Sequence, residues 1–543
     1  MINGILVARN TSRPRKARVF STVFIAASLL SLAAGFSASA EPRTLKAVMH
    51  SGIRVLDPVI TTAHITRNHS YMIYDTLLGI DETYKPQPQM ADWKISDDGL
   101  TYTFTLRNGL KWHDGAPVTA EDCVASLKRW AKKDGGGQMM MDYTASLEAT
   151  DAKTITLKLK EPFSYVLELI SKPSAIPAFM MTKRVAETPP DKAIEEHIGS
   201  GPFKFVASEF QPGVKIVYER NTDYVPRSEP ASVTSGGKVA KLDRVEWVTM
   251  PDAQTAVNAL NAGEIDYIEQ LPFDLIPLLE ANPEITIDVF NTLGQQTMGR
   301  MNWLHPPFDN PKIRRAVLLA LNQKDVMAAM VGNEKYSQIC VSMYGCGGSP
   351  LQTKAGAETL LTSSDPEAAK ALLKEAGYDG KPIVIMHATD VTTLVTQPVV
   401  ATQLLRKAGF TVDLQPMDWQ TLVTRRASQK PLSEGGWNMF FTNWVIPEVW
   451  NPIGNPMLNG RGKTGAWFGW PDDPELEKMR VEFVKAKSDG ERKAIADRIQ
   501  KHAYEVVNYV PLGQYLLPSG WNKKVTGVLS SPVPLFWNVE IKK

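Results

Sequence analysis

Cysteine is scarce in this chain: three residues, Cys123, Cys340 and Cys346, among 543. So few cannot build a disulfide scaffold, and a chain this long does not need one, because it can bury roughly two or three packed units. Cys340 and Cys346, separated by five residues in CVSMYGCGG, are expected to pair in an oxidising compartment. The competing reading, a metal or redox pair, lacks a neighbouring cysteine or histidine to complete a ligand set. Cys123 falls on the apolar face of an expected helix and reads as a small buried hydrophobe.

Catalytic signatures are missing as well. There is no Gly-rich phosphate loop, no HExxH and no GxSxG elbow. The eight histidines are scattered, and His64 and His69 stand five apart, a poor spacing for two ligands on one helical face. His113 beside Asp114 invites a reading as a reaction centre. Asp114-Gly115 is a strong turn dipeptide, however, and Thr119 is placed to cap a following helix, so a structural turn is expected. A secreted hydrolase would need a nucleophile or metal set that this pattern does not offer. No catalytic residue, metal or cofactor is expected.

An excess of one charge is also absent: 60 Lys and Arg face 58 Asp and Glu, a net of +2. Nothing suggests nucleic acid as a partner. The one notable basic run, Arg9 to Arg18, precedes the apolar stretch VFSTVFIAASLLSLAAGF and the small-x-small site Ala38-Ser39-Ala40. This reads as a secretory signal peptide over residues 1–40, with an uncleaved membrane anchor as the alternative. Its loss removes five positive charges and carries the net charge from +2 to −3. A soluble, periplasmic mature protein is expected, since no later apolar run approaches spanning length.

What is present is α/β patterning. TYTFTL and TITLKL alternate apolar and polar residues as strands do. The segments from Asp252, Asp365 and Val400 each read as a helix stopped at a glycine, Gly263, Gly377 or Gly409, and followed by a strand. Gly135-Gly136-Gly137 and Gly435-Gly436 read as loops. Between Trp437 and Trp470 lie five tryptophans, the others being Trp444, Trp450 and Trp467, interleaved with asparagines and prolines. Indoles in loops suit the wall of a pocket for a small organic ligand, with about half of them expected in the core instead.

These segments add up to a resemblance. WKISDDGLTYTFTLRNGLKWHDGAPVTAEDCVASLKRW, GSGPFKF, YERNTDYV, NALNAGEIDYIEQLP, MNWLHPPFDNPKIRRAVLLALNQKDV and DPEAAKALLKEAGYDG closely resemble, in order, blocks of the extracytoplasmic solute-binding proteins of family 5. These are the dipeptide, oligopeptide and nickel type that serve ABC importers. The resemblance covers about Leu45 to Pro518. It implies an α/β two-lobe clamshell of the type II, cluster C kind. The first lobe would comprise residues 41–83, 203–293 and 515–543, a small domain of residues 84–202 would be inserted in it, and the second lobe would be 294–514. It also implies a monomer that hands a small organic solute to a membrane permease. A metal or metal-chelate receptor of the nickel type, in the same fold, is the alternative.

For the site, the resemblance implies that Trp444 matches the tryptophan that precedes the family's amine-anchoring aspartate. Pro447 stands at the aspartate's place, with Glu448 beside it. The arginine that holds a dipeptide's carboxylate has no match after IVIMHA, where Asp390 and threonines follow. A zwitterionic dipeptide is therefore not expected, since burying it without paired charges is costly. A cationic or amine-bearing molecule, held by Glu448 or Asp390 against indoles, is expected instead. Further ligand contacts are expected at Thr62, His64, Glu269, Gln270, Gln296, Trp303, Trp450, Gln514 and Tyr515.

Overall fold

The computed structural model describes residues 42–357 and 360–542. The expected signal peptide lies outside them. Among the described residues no helix is long and apolar enough to cross a membrane.

Two sheets carry the architecture. The first has seven strands in the order Ile285–Asp288, Ser519–Asn522, Tyr267–Ile268, Thr44–Val48, Arg244–Val248, Lys215–Arg220 and Phe203–Phe205. Thr44–Val48 sits at its centre, parallel to both neighbours. The second has six strands: Ser337–Gln338, Val510–Tyr515, Gln295–Met301, Met439–Val445, Ile383–Ala388 and Val412–Met417. The chain passes from the first sheet to the second between Asp288 and Gln295, and returns between Tyr515 and Ser519. The two strands at these crossings pair antiparallel. Both are buried along their whole length, as strands in the middle of a covered sheet must be.

A separate four-stranded antiparallel sheet, Ala91–Ile95, Thr101–Leu106, Thr154–Leu159 and Thr144–Ala149, forms within residues 91–159. The alternation of TYTFTL becomes an alternation of burial, with Tyr102, Phe104 and Leu106 facing inward. The helix Ala120–Trp130 follows. Its capping box is closed by Thr119 and Asp122, whose amide and carboxylate each bond the other residue. Cys123 is buried on this helix as a free thiol. Cys340 and Cys346 form a disulfide.

The helix-glycine-strand grammar is present too: Asp365 caps Pro366–Glu375, Gly377 turns the chain at φ +68°, and the strand Ile383–Ala388 follows. One expectation is corrected. Gly135-Gly136-Gly137 is not a loop but the first turn of the helix Gly135–Asp142, capped by Asp134, whose carboxylate accepts from Gly137 N at 2.8 Å. Glycine is required there by packing, because a Cβ on Gly136 would stand 2.4 Å from Leu169 Cδ2.

His113 sits in a turn, as expected. Its Nδ1 accepts from Gly199 N at 3.3 Å and its Nε2 faces Gly201 O at 3.2 Å, so the neutral ring with the proton on Nε2 satisfies both contacts. Burial, supplemented by the nearby Lys204 charge, lowers its pKa to about 4. The folded protein thus binds this proton less readily than the unfolded chain does. The stability His113 contributes is present above its ordinary value of 6.5 and is lost as the pH falls through about 4. The loss amounts to roughly 3 kcal/mol. Urea denaturation between pH 7 and pH 4 should show a falling midpoint, and His113→Asn should flatten that fall. An unchanged slope in the variant would remove His113 from the account.

Candidate functional site

The ends of the strands converge on one small cavity. From the first sheet, His50 follows Thr44–Val48 and Gln270 follows Tyr267–Ile268, while Thr62 and His64 open the helix His64–Ile73. From the second, Gln295 begins its strand, Thr393 and Trp419 follow Ile383–Ala388 and Val412–Met417, and Asn443 and Trp444 close Met439–Val445. Ligands in α/β sheets bind outside the carboxyl ends of strands, because the loops there are free to carry side chains. The central cavity is small, about 30 Å³. Two larger chambers adjoin its walls. One of about 400 Å³ shares Thr62 with it and is lined further by Lys133, Ala427, Trp467 and Phe468. The other, of about 520 Å³, is lined by Tyr84, Tyr165, Glu448 and Trp450.

Two buried carboxylates stand behind the cavity, one from each sheet. Glu269 accepts from His50 N at 2.9 Å, His50 Nδ1 at 2.7 Å and Asn68 Nδ2 at 3.0 Å. Glu448 accepts from Val445 N at 2.7 Å and from the Ser174 hydroxyl, and lies 3.3 Å from His64 Nε2 and 3.9 Å from Arg67. Arg67 in turn bonds the Asn68 side-chain oxygen at 2.8 Å and the Ser174 hydroxyl. Burial alone would raise both carboxyl pKa values. The facing imidazoles, Arg67 and the hydrogen bonds more than offset it and hold both below the ordinary carboxylate value, while burial and the Arg67 charge push the His64 pKa down in turn.

The structure places Glu448 at the wall of the second chamber with its side chain 0% exposed and with His64, Arg67 and Ser174 as partners within the protein.

Of the expected contacts, Thr62, His64, Gln270 and Trp444 come together on the central cavity. Tyr515 stands just behind it, its hydroxyl 3.3 Å from Gln295 Oε1. Asp390 is exposed and accepts from Trp419 N at 2.7 Å. Trp450 lies in the second chamber, edge-on to Tyr84.

Three residues point elsewhere. Gln296 donates to Ser342 O at 2.8 Å. Gln514 holds the disulfide loop, accepting from Cys346 N at 2.8 Å and donating to Cys346 O at 3.0 Å. Trp303 is covered by the Arg314 guanidinium at 3.4 Å. Each alternates away from a cavity-facing neighbour or leaves the sheet, which strand position alone does not reveal.

Sequence reasoning missed His50, Gln295 and Trp419 on the cavity wall and Arg67 behind it. His50 and Trp419 carried a signal, their places just after strands.

Two α/β sheets joined by paired crossing strands, with a cavity lined from the strand ends of both, are the build of a two-lobe binding protein. The sequence model of the bacterial extracellular solute-binding proteins, family 5 Middle, matches residues 85–465, and the chain belongs to this family. It is 39% identical over 518 residues to a probable peptide ABC transporter periplasmic-binding protein, y4tO, of Sinorhizobium fredii, covering 95% of this chain and 96% of that one. Among solved structures it resembles the PBP AgaA in complex with agropinic acid, from A. tumefacien R10. The TM-score is 0.78 at 21% identity, over 92% of this chain and 99% of that one. It also resembles the periplasmic binding protein DppA of Helicobacter pylori in complex with the peptide STSA. Here the TM-score is 0.76 at 23% identity, over 92% and 98% of the two chains. These structural likenesses establish the two-lobe fold.

Proposed function

We propose that this protein is the periplasmic, solute-capturing component of an ABC importer, exported through residues 1–40 and closing on a small peptide-like molecule that it presents to a membrane permease. The lobes are residues 41–83, 203–293 and 515–543 on one side and 294–514 on the other, with residues 84–202 inserted in the first. The observation that supports this most is the cavity walled from both sheets, by His50, Thr62, His64 and Gln270 against Gln295, Thr393, Asn443 and Trp444. A 30 Å³ space admits no peptide unless its walls part, so binding and hinge motion are one event. Contacts across the cleft support a closed state: Arg54 to Asp418 at 3.1 Å, Gln420 Nε2 to Gly52 O at 2.9 Å and Trp467 Nε1 to Thr62 Oγ1 at 3.2 Å.

The peptide in the name of the Sinorhizobium relative supports a peptide-like solute. The metal-receptor reading has less behind it. His50 and His64 are both engaged by carboxylates, and among the described residues no group of three His, Cys, Asp or Glu side chains could hold a metal ion.

Trp419, Trp444 and Trp467 make the test direct. Titration with short peptides should quench tryptophan fluorescence saturably and reduce the radius of gyration in small-angle scattering, and Trp444→Ala should lose most of the quench. Fluorescence and scattering that no peptide changes would refute the proposal.

A further inference from the structure

We propose that the disulfide-closed loop from Cys340 to Cys346 is a brace on the crossing between the two sheets, with Gln514 and Gln323 as its positioning residues, so that breaking it softens the hinge without touching the solute. The effect on solute affinity rests on the solute-binding reading; the effect on the crossing does not.

The crossing is where the fold is weakly tied. The outgoing strand Gln295–Met301 pairs in unbroken register with Met439–Val445. The returning strand Val510–Tyr515 is held less well. Its ladder with the outgoing strand shifts between Gln296 and Met298, where Leu512 and Gly513 stand against the single residue Thr297. Gly513 takes φ +117° there. Such a bulge leaves a residue unpaired and lets the strand bend. On its other side the returning strand meets only the two-residue strand Ser337–Gln338, which leads almost directly into Cys340.

Two glutamine side chains make up for the interrupted ladder, and both do so in the same way. Gln514 Oε1 accepts from Cys346 N at 2.8 Å, and its Nε2 donates to Cys346 O at 3.0 Å and to Leu293 O, in the outgoing segment, at 2.9 Å. Gln323 Oε1 accepts from Cys340 N at 2.7 Å, and its Nε2 donates to Cys340 O at 2.8 Å and to Pro511 O, in the returning strand, at 3.0 Å. Each amide thus holds the backbone of one cysteine and one carbonyl of the crossing. Gln296, opposite Gln514 on the outgoing strand, donates to Ser342 O at 2.8 Å, inside the same loop. All three side chains are buried, where a lost hydrogen bond is not replaced by one to water. The S–S bond fixes the two cysteines to each other, so Leu293 O and Pro511 O are both referred to one covalently closed loop. Without that bond the glutamines grip two ends of a flexible segment, and nothing stiff spans the bulge.

The loop has a further grip that does not involve the crossing. Gln500 Oε1 accepts from Met343 N at 2.8 Å, while its Nε2 donates to Thr353 O at 3.2 Å and Ala355 O at 3.0 Å. Gln500 is as buried as Gln514 and also bonds three backbone groups, none of them in a crossing segment. It is the control for a purely structural role.

Hydrogen exchange on the solute-free protein and calorimetry with a set of tripeptide acids test the brace on the wild type, Cys340→Ala/Cys346→Ala, Gln514→Met and Gln500→Met. In the double variant and in Gln514→Met, amides of residues 293–298 and 510–516 should exchange about 10-fold faster, with those of Thr44–Val48 unchanged. The affinity for every tripeptide should fall about 10-fold with their ranking kept, because a softer crossing populates open forms. Gln500→Met should lower the urea midpoint as Gln514→Met does, yet leave crossing exchange and affinities at the wild-type level. Equal effects of Gln514→Met and Gln500→Met, or faster exchange spread evenly over both sheets, would reduce the loop to general stability and overturn the proposal. So would a double variant that matches the wild type in both readouts, or a loss confined to some tripeptides, which would mark Gln514 as a ligand contact. Should the double variant not fold, the comparison of Gln514→Met with Gln500→Met decides alone. A protein that loosens at the crossing but binds no tripeptide supports the brace and counts against the solute-binding reading.

Discussion

Asp57→Asn should destabilise the protein by about 3–5 kcal/mol, the cost of removing one partner from a buried ion pair. The Asp57 carboxylate is 1% exposed and has four donors. Arg129 reaches it with both terminal nitrogens, at 3.1 and 2.7 Å, and the backbone amides of Val59 and Ile194 lie at 2.9 and 3.0 Å. These donors come from three places: the loop leading to Thr62, the helix Ala120–Trp130, and the segment that returns to the first sheet. The amide nitrogen of an asparagine would face a guanidinium and leave its charge uncompensated in the interior. Urea denaturation at pH 7 measures the loss. Glu121→Gln, which breaks an exposed pair with Lys183, is the control and should leave the midpoint in place. A variant of Asp57 that matched this control would mean that the three segments are held by apolar packing alone.

Glu448→Ala should weaken the binding of every solute by about 100-fold, whatever the solute's charge, because it lowers the population of the closed form. Glu448 follows the strand Met439–Val445 of the second sheet, yet His64 and Arg67 come from the helix packed beside the first sheet and Ser174 from the segment after the four-stranded sheet. Opening the cleft would strip those contacts from a buried carboxylate, so they favour closure. The Ala variant loses that preference and leaves Arg67 with one acceptor fewer. Calorimetry with the tripeptide acids and their N-acetyl derivatives separates this from direct recognition. Loss confined to solutes with a free amine would show instead that Glu448 touches the ligand, as the sequence resemblance implied.

That difference shows where reading from sequence stops. Period-two alternation fixed the strands Thr101–Leu106 and Thr154–Leu159, and Asp, Pro and Gly punctuation fixed Pro366–Glu375, because these signals are local. The pocket wall at Thr62, His64, Gln270 and Trp444 was legible as strand and loop positions of a resembling family. Whether a carboxylate there is available was not legible. Glu448 lies 381 residues beyond Arg67 and 274 beyond Ser174, and only the fold brings these neutralising groups to it. The glycines at 135–137 misled for another reason: glycine marks a flexible turn or a close approach equally well, and the neighbour that decides between them is remote in sequence.

Those glycines also set how near two distant segments can come. A Cβ at Gly135 would stand 2.7 Å from Asn459 Nδ2, and one at Gly136 would stand 3.3 Å from the Ile453 carbonyl oxygen. The first turn of the helix Gly135–Asp142 therefore meets the 453–459 loop with no room for a methyl group between them. Both segments line the 400 Å³ chamber, so any larger residue at either glycine would spread its wall.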